Sequence, residues 1–399
     1  MKTNTQSPLR QRVIFIIGTR PEAVKVAPLV SAFGEAHEFE PLVVITGQHR
    51  EMLQQVLTVF GIRPHVDLDV FSGGQSLTDV TTRVLEGLRP VMRSAAPGLV
   101  VVQGDTTSAF AGALAAFYQR LPIAHLEAGL RTFDRRNPYP EEANRTLIAD
   151  LADVDLCPTV TARDNLLREG VDSKDIFVTG NTVIDALLWA AEMPPPDTPL
   201  LRRLDADRDK RMILVTAHRR ESWGAGMVRI GQALRRVAAE HPDVLLVFPT
   251  HRNPRIREVI WPLLSELENV VLSEPSPYGE FVHLLKRAAI VLTDSGGIQE
   301  EAPSFGTPVL VLRETTERPE AVEAGTVRLV GTATDVIVEA VNRLLEDPVA
   351  YSRMARAVNP YGDGRAAQRC LAAVRHRYHG GPAVAEFRPP PPVVQAVAG

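Results

Sequence analysis

Short, continuous runs of valine, isoleucine and leucine recur along the chain, with longer amphipathic stretches between them. Strands buried on both faces have such runs, and parallel sheets covered by helices contain strands of this kind. The sequence therefore predicts an α/β, doubly wound fold. The predicted strands are Val13–Ile17, Leu42–Thr46, Leu99–Gln103, Ile123–Leu126, Ile176–Thr179, Met212–Ala217, Val244–Pro249, Ile290–Thr293 and Val309–Leu312, and the predicted helices are Ala23–Phe33, Ser108–Tyr118, Glu141–Ala152, Met227–Ala239 and Thr334–Leu345.

A run of prolines, Pro194–Pro196, divides the chain into two α/β halves. Consecutive prolines cannot continue a helix or a central strand, and 399 residues suffice for two or more domains. We predict domains over residues 1–190 and 191–363; a proline-rich surface loop within one domain is the alternative. A second proline run, Pro389–Pro392, lies in the stretch 380–399, for which we predict disorder or an extended polyproline conformation.

Composition excludes several function classes. The chain has 44 Lys and Arg and 48 Asp and Glu, a formal net charge of −4, which argues against a generally basic nucleic-acid-binding protein. The two cysteines, Cys157 and Cys370, form no CxxC pair, so neither a disulfide framework nor a zinc ribbon is predicted. The first apolar run, Val13–Ile17, is too short for a secretion signal or a membrane span. We expect a cytoplasmic protein with no metal site and no nucleic-acid or membrane partner.

Charged residue types follow the predicted strands in both halves. Ligands of open α/β sheets bind beyond the carboxyl ends of the strands, so these segments are candidate binding loops. Charged surface loops explain any one of them, but less readily all six. The six segments begin at Gly18, Gly104, Glu127, His218, Thr250 and Asp294.

Two of these segments are candidate anion sites. Arg20 and Lys25 lie at a predicted helix start after Gly18, where they can hold a phosphate near the helix N-terminus. The segment Ser295–Gly297 has two glycines, which let an anionic group approach bare N–H groups at a second helix start. Glu301, one turn later, can accept hydrogen bonds from a ribose diol. The alternatives are a capped helix start with solvated charges and a tight turn with exposed glutamates.

Three carboxylates of the N-terminal half, Asp105, Glu127 and Glu141, are candidate acid/base groups. Carboxylates that share a cleft raise one another's pKa values, so that one holds a proton while another accepts one. For Glu141 alone, an ion pair with Arg145 at i+4 is the simpler interpretation. His218 follows a strand in the second half; it is either structural, an acid/base group or, with two arginines after it, part of an anion site.

Nine motifs occur in the order found in one enzyme family. Through them the chain resembles the non-hydrolysing UDP-N-acetylglucosamine 2-epimerases from Val13 to Val374. The motifs are Gly18–Ala23 (GTRPEA), Thr46–Arg50 (TGQHR), Gly104–Thr107 (GDTT), His125–Arg131 (HLEAGLR), Pro140–Arg145 (PEEANR), His218–Glu221 (HRRE), Thr293–Pro303 (TDSGGIQEEAP), Thr315–Glu320 (TTERPE) and Asn359–Gly364 (NPYGDG).

The resemblance implies a glycosyltransferase-B-like fold: two Rossmann-like domains, a cleft between them, and a C-terminal helix near 364–377 that returns to the first domain. It implies reversible conversion of UDP-N-acetylglucosamine (UDP-GlcNAc) to UDP-N-acetylmannosamine (UDP-ManNAc) by anti elimination of UDP and re-addition to 2-acetamidoglucal. Neither NAD nor an essential metal is implied. It also implies a homodimer that supplies ManNAc-type sugars for bacterial surface polysaccharide.

The resemblance also assigns roles to residues of this sequence. It implies catalytic roles for the three carboxylates and for His218. In several bacterial members a second UDP-GlcNAc activates the enzyme, and Gln48, Arg219 or Arg220, and His251 match the corresponding positions. However, the stretch Phe71–Gln75 has no basic residue where some members place an arginine for this effector. The residues implied in substrate binding are Arg20, Lys25, Arg145, Ser295, Gly296, Gly297, Glu301 and Arg318.

Three other functions are compatible with the same motifs. A hydrolysing 2-epimerase releases ManNAc and UDP after the same elimination. A glycosyltransferase of the same fold transfers the sugar to an acceptor, although three carboxylates around the sugar argue against it. A catalytically silent sugar-nucleotide sensor is the third alternative, which ranks last because all of the family's acidic positions are present.

Overall fold

The computed structural model describes residues 10–47, 50–71 and 74–389. These residues divide into two compact units. The N-terminal unit runs to Ala186 and resumes at Tyr361–Arg388, and the C-terminal unit comprises Leu187–Pro360. The division falls a few residues before the boundaries predicted at 190 and 363.

A parallel sheet of seven strands forms the centre of the N-terminal unit. The strands are β1 (Gln11–Ile17), β2 (Phe39–Ile45), β3 (Val66–Asp67), β4 (Leu99–Gln103), β5 (Ile123–Leu126), β6 (Val154–Cys157) and β7 (Ile176–Val178). The helices are α1 (Arg20–Glu35), α2 (Arg50–Val59), α3 (Leu77–Ala95), α4 (Thr107–Tyr118), α5 (Glu141–Leu151), α6 (Val160–Glu169), α7 (Thr182–Glu192, which crosses the division) and α16 (Ala366–His379), numbered in chain order.

The strand order in this sheet is β3-β2-β1-β4-β5-β6-β7. The order reverses between β1 and β4, and right-handed crossovers on either side of that point place helices on opposite faces of the sheet. Residues Val13–Ile17 of β1 are at most 1% exposed because both faces of the strand are covered. The carboxyl ends of β1, β4 and β5 consequently lie side by side.

The C-terminal unit repeats this architecture with six parallel strands in the order β10-β9-β8-β11-β12-β13. These are β8 (Arg211–Thr216), β9 (Val244–Pro249), β10 (Val270–Ser273), β11 (Ile290–Thr293), β12 (Val309–Val311) and β13 (Val327–Leu329). The helices are α8 (Pro199–Asp205), α9 (Ala225–Glu240), α10 (Pro254–Leu264), α11 (Tyr278–Arg287), α12 (Gly296–Glu301), α13 (Pro319–Glu323), α14 (Thr334–Glu346) and α15 (Pro348–Ala355).

The predicted α/β fold with parallel sheets is confirmed. Each predicted strand and helix is present, with ends that differ by three residues or fewer. The sequence interpretation missed β3, β6, β10 and β13, which have two to four residues each. Among the described residues no helix is long and apolar enough to cross a membrane.

Helix α16 belongs to the N-terminal unit, to which the chain returns after the C-terminal unit. Its first turn donates two backbone hydrogen bonds, from Ala366 (3.1 Å) and Ala367 (2.8 Å), to the carboxylate of Asp185 on α7. Near its other end, Arg375 forms an ion pair with Glu38 at 2.5 Å. Contacts at both ends thus attach this helix to the unit.

Residues 381–388 follow α16 and belong to the stretch 380–399, for which disorder or an extended polyproline conformation is predicted; they contain neither helix nor strand. Phe387 is only 3% exposed, and its backbone N–H donates to the carbonyl of Val178 at 2.8 Å. One aromatic residue among small residues and prolines barely changes the composition, yet its burial fixes the segment. The remainder of the predicted tail, 390–399, lies outside the described residues.

Candidate active site

Predicted site residues of the N-terminal unit meet at the carboxyl edge of its sheet. Glu127 follows β5, and its side chain forms an ion pair with Lys25 of α1 at 2.5 Å, across 102 positions of sequence. Asp105 follows β4, the strand between β1 and β5. The topology therefore brings Lys25, Asp105 and Glu127 to one edge of one sheet.

Glu127 is the most firmly held of the predicted carboxylates. Its backbone has φ +64°, a left-handed conformation that is rare for a residue with a side chain. Its carboxylate accepts hydrogen bonds from the amide of Gln103 at 2.5 Å and the amide of Asn181 at 3.2 Å, in addition to that from Lys25. The side chain is 8% exposed. The strained backbone and the three donors orient both oxygens of Glu127.

Asp105 forms an ion pair with Arg145, the residue for which the sequence analysis considered Glu141 as the partner. Its carboxylate accepts from Arg145 of α5, and its backbone carbonyl accepts from Asn144 at 2.9 Å. Arg145 also lies 3.3 Å from the buried Glu142. The i+4 pair of Glu141 with Arg145 is therefore not formed among the described residues, because the guanidinium points towards Asp105. Glu141 is half-buried at the first position of α5.

Glu142, which the sequence interpretation passed over, anchors the loop before α5. One of its oxygens accepts the backbone N–H groups of Thr132 and Phe133, both at 2.9 Å. Since Glu142 also contacts Arg145, this buried carboxylate connects the loop to the ion pair of Asp105. Glu142 is thus a structural support of the candidate site.

The start of α1 depends on close packing against α4 and on hydrogen bonds to the backbone N–H groups that precede the helix. A Cβ atom at Gly18 would lie 2.5 Å from the Cβ of Ser108, so only glycine allows α1 and α4 to begin this close together. The buried Glu22 accepts from the backbone N–H groups of Gly18 and Thr19. Arg20, the first residue of α1, is exposed. Its guanidinium makes no ion pair with any residue that the structure describes, which leaves it available to an anionic ligand.

Burial raises the pKa of Glu22 from 4.5 to about 7, although hydrogen bonds from Thr106, Gly18 and Thr19 oppose the shift. Between these values the unfolded chain loses its proton before the folded protein does, so this carboxyl lowers stability as the pH rises from about 4.5 to about 7. Glu22→Gln removes that term. We expect the free energy of unfolding of the variant, relative to wild type, to rise by up to about 3 kcal/mol between pH 5 and pH 8.

Urea denaturation of wild type and Glu22→Gln at the two pH values measures this difference. Glu35→Gln, an exposed glutamate of the same helix, is the matched control and should show no such trend. Equal differences at pH 5 and pH 8 would show that Glu22 ionises normally in the folded protein.

In the C-terminal unit, His218 is held by an aspartate that was not among the predicted site residues. Asp294, fully buried after β11, accepts the backbone N–H groups of His218 and Arg219, both at 2.8 Å. Its other oxygen lies 3.2 Å from Nδ1 of His218. An imidazole whose Nδ1–H faces Asp294 presents Nε2 as its free nitrogen. Burial lowers the pKa of His218 below its ordinary value, while Asp294 acts in the opposite direction.

His251 and Arg219, both predicted as effector ligands, lie beside His218. The rings of His218 and His251 stack with centroids 6.1 Å apart and planes inclined by 19°. The guanidinium of Arg219 is 3.3 Å from the carboxylate of Glu317. The third predicted effector ligand, Gln48, lies outside the described residues.

Helix α12 begins among charged side chains after β11. A Cβ atom at Gly296 would lie 3.1 Å from the carboxylate of Glu317 and 3.8 Å from the guanidinium of Arg219. Arg318 forms an ion pair with the buried Glu300 of α12. Ser295 precedes the helix without capping it, while Gly297 is exposed and Glu301 is half-buried. The predicted anion-site residues 295–297 and Arg318, which the resemblance implies in substrate binding, therefore lie around one helix start.

Among the described residues, no group of three His, Cys, Asp or Glu side chains is arranged to hold a metal ion. Both cysteines are free and buried. The polar chemistry of the two units thus consists of carboxylates paired with Lys25 and Arg145 in one and of a histidine, arginines and a glycine-rich helix start in the other.

Two Rossmann-like units, each with charged residues at the carboxyl edge of a parallel sheet, place the chain among α/β proteins of glycosyltransferase-B-like fold. The family model for UDP-N-acetylglucosamine 2-epimerase matches residues 31–375. The chain belongs to this family.

Individual relatives are similar over nearly their whole length. The UDP-N-acetylglucosamine 2-epimerase of Escherichia coli K12 is 54% identical over 370 residues, which cover 92% of this chain and 98% of the relative. The crystal structure of the Neisseria meningitidis UDP-GlcNAc 2-epimerase, bound to UDP-GlcNAc, is 46% identical with a TM-score of 0.82, covering 92% of this chain and all of its own. A Listeria monocytogenes structure assigned to the same enzyme is 45% identical with a TM-score of 0.90, covering 95% and 100%.

Proposed function

We propose that this protein is a non-hydrolysing UDP-GlcNAc 2-epimerase, which interconverts UDP-GlcNAc and UDP-ManNAc. Family membership supports the substrate class. The observation that carries the reaction type is the pairing of Asp105 with Arg145 and of Glu127 with Lys25 at one sheet edge. Such carboxylates can take and return a proton, because their positions are fixed while the Asp105 side chain stays 25% exposed.

The reaction needs two acid/base events and one leaving group. In the forward elimination a base takes the C2 proton, the C1–O bond to UDP breaks, and a C1–C2 double bond forms, giving 2-acetamidoglucal and UDP. In the reverse addition a UDP oxygen re-forms the bond to C1, and a proton is delivered to the other face of C2. Asp105, Glu127 and Glu141 are the proposed acid/base groups. The elimination releases a proton and UDP, and the addition takes up a proton and UDP, so the cycle involves no net oxidation or reduction and consumes no redox cofactor.

Leaving UDP gains negative charge, and the C-terminal unit offers cations and N–H groups to receive it. His218, Arg318 and the start of α12 at Ser295–Gly297 are proposed to bind the nucleotide, with Glu301 on the ribose. Arg20 and Lys25 are proposed to hold the phosphates from the N-terminal unit. Stabilisation of charge that develops as a bond breaks lowers the barrier to elimination. Arg145 is proposed to act on substrate through Asp105.

Product analysis distinguishes this proposal from its alternatives. Purified protein incubated with UDP-GlcNAc alone should yield UDP-ManNAc, resolved by anion-exchange chromatography, with total nucleotide sugar unchanged. Release of free ManNAc with an equal amount of UDP would assign the chain to the hydrolysing branch. Turnover only after addition of a sugar acceptor would indicate a glycosyltransferase, and binding without turnover a sensor.

Activation by a second UDP-GlcNAc is a further part of the proposal, with Arg219 and His251 as ligands beside His218. If such a site operates in the proposed homodimer, the rate with UDP-ManNAc as sole substrate should start with a lag that added UDP-GlcNAc removes. A hyperbolic dependence on UDP-ManNAc with no lag would contradict effector binding. The measurement is an initial-rate series with and without trace UDP-GlcNAc.

A further inference from the structure

The chain beyond α16 contacts the loop that supports Glu127. We infer that residues 381–388, here called the C-terminal segment, position Glu127 for catalysis through Phe387; this inference rests on the proposed function. The match to the family model ends at residue 375, so the whole segment follows it.

Phe387 anchors the segment. Its side chain is 3% exposed, and its backbone N–H donates to the carbonyl of Val178, the last residue of β7. Because β7 ends the strand order of its sheet, this hydrogen bond falls on an edge strand. The guanidinium carbon of Arg369 lies 5.3 Å from the centre of the phenyl ring, and Arg163 lies 3.4 Å from Glu386.

The ring of Phe387 lies against the turn that follows β7. A Cβ atom at Gly180 would be 3.4 Å from Cγ of Phe387, and Gly180 has φ +84°. Arg369 donates to the carbonyl of Thr179 at 3.3 Å, and two hydrogen bonds of 2.8 and 2.7 Å to Asp363 fix its guanidinium. The backbone at 179–180 is thus held by the phenyl ring and by a guanidinium that touches the same ring.

The next residue after this turn is a direct partner of Glu127. Asn181 is 3% exposed, its side-chain amide donates to Glu127 at 3.2 Å, and its backbone N–H donates to the carbonyl of Tyr361 at 2.7 Å. Removal of the phenyl ring frees the turn at Gly180 and allows Asn181 to move. One of the three hydrogen-bond donors of Glu127 is then no longer held in place. Since small displacements of a reacting group lower the catalytic rate by large factors, kcat should fall.

Three variants test the inference. In Phe387→Ala we expect kcat for UDP-GlcNAc to fall about tenfold, with a much smaller change in KM and UDP affinity. Of the proposed nucleotide ligands, Lys25 contacts Glu127, whereas His218 and 295–297 belong to the C-terminal unit. Phe387→Leu refills most of the space and should restore most of kcat. Val384→Ala, a half-buried position of the same segment, is the matched control and should behave as wild type.

Hydrogen exchange of the amides of 176–183 supplies a readout that does not need turnover. Faster exchange there in Phe387→Ala, together with the fall in kcat, supports the inference. A lower melting temperature with unchanged kcat and unchanged exchange would overturn it and assign Phe387 to stability alone. If the wild-type chain does not turn over UDP-GlcNAc, the proposed function fails, whereas the exchange result still decides whether the segment orders Asn181.

Discussion

Replacement of Asp105 by asparagine should lower kcat for UDP-GlcNAc by about a thousandfold while UDP still binds. The amide has nearly the shape of the carboxylate but cannot take or deliver a proton. Asp105 also forms the ion pair with Arg145, and the amide oxygen can still accept from that guanidinium. The fold and the proposed nucleotide ligands of the C-terminal unit are therefore expected to be unaffected. Glu141→Gln should give the same separation of turnover from UDP binding.

Steady-state kinetics and calorimetric titration with UDP measure the two quantities. Asp150→Asn is the matched control, because Asp150 is an exposed aspartate on α5 in the same unit. Near-normal turnover of Asp105→Asn would remove Asp105 from the acid/base groups. Loss of UDP binding along with turnover would instead point to a binding role for this carboxylate.

The second large effect is expected at Asp294. Its two oxygens face three nitrogens: the backbone N–H groups of His218 and Arg219, and Nδ1 of His218. In Asp294→Asn the amide oxygen can still accept the two backbone N–H groups, but the side-chain NH₂ then faces Nδ1 of His218. Nδ1 must accept from that NH₂, so the ring proton moves to Nε2 and the negative charge beside the ring is lost. We expect kcat/KM for UDP-GlcNAc to fall about a hundredfold, since stabilisation of the leaving group depends on the tautomer and charge of His218.

The titration of His218 gives an independent measure of the same substitution. Burial already lowers the pKa of His218, and the negative charge of Asp294 partly offsets that effect. Removal of the charge should therefore lower the pKa further, which NMR titration of the imidazole detects. Asp243→Asn, at an exposed aspartate of the same unit, is the control. An unchanged pKa of His218 together with normal kinetics would show that Asp294 has no part in the site.

Continuous apolar runs made most of the fold predictable, and the exceptions have local causes. Strand β6 was missed because Asp155 interrupts its apolar residues, although that side chain is fully buried beside His125 of β5. Strand β3 has only two residues, too few for any periodic pattern. In each case pairing with a neighbouring strand supplies the structure, and a single-sequence pattern does not contain that information.

The site residues that come directly after a strand were predictable from the sequence. Asp105, Glu127 and His218 follow strands, and parallel topology brings such positions to one edge of a sheet. Their partners were not predictable in this way: Gln103, Asn181 and Asp294 come from other strands and loops. Such pairings depend on the direction of side chains in three dimensions. The same direction explains why Arg145 pairs with Asp105 and not with Glu141.

The central claim is that the C2 proton is lost and replaced while UDP departs and returns. Proton NMR of the purified protein with UDP-GlcNAc in D2O, without added NAD or metal, tests it most directly. We expect UDP-ManNAc to appear with deuterium at C2, and deuterium to enter C2 of the remaining UDP-GlcNAc. UDP-ManNAc that retains hydrogen at C2 would contradict elimination through loss of that proton.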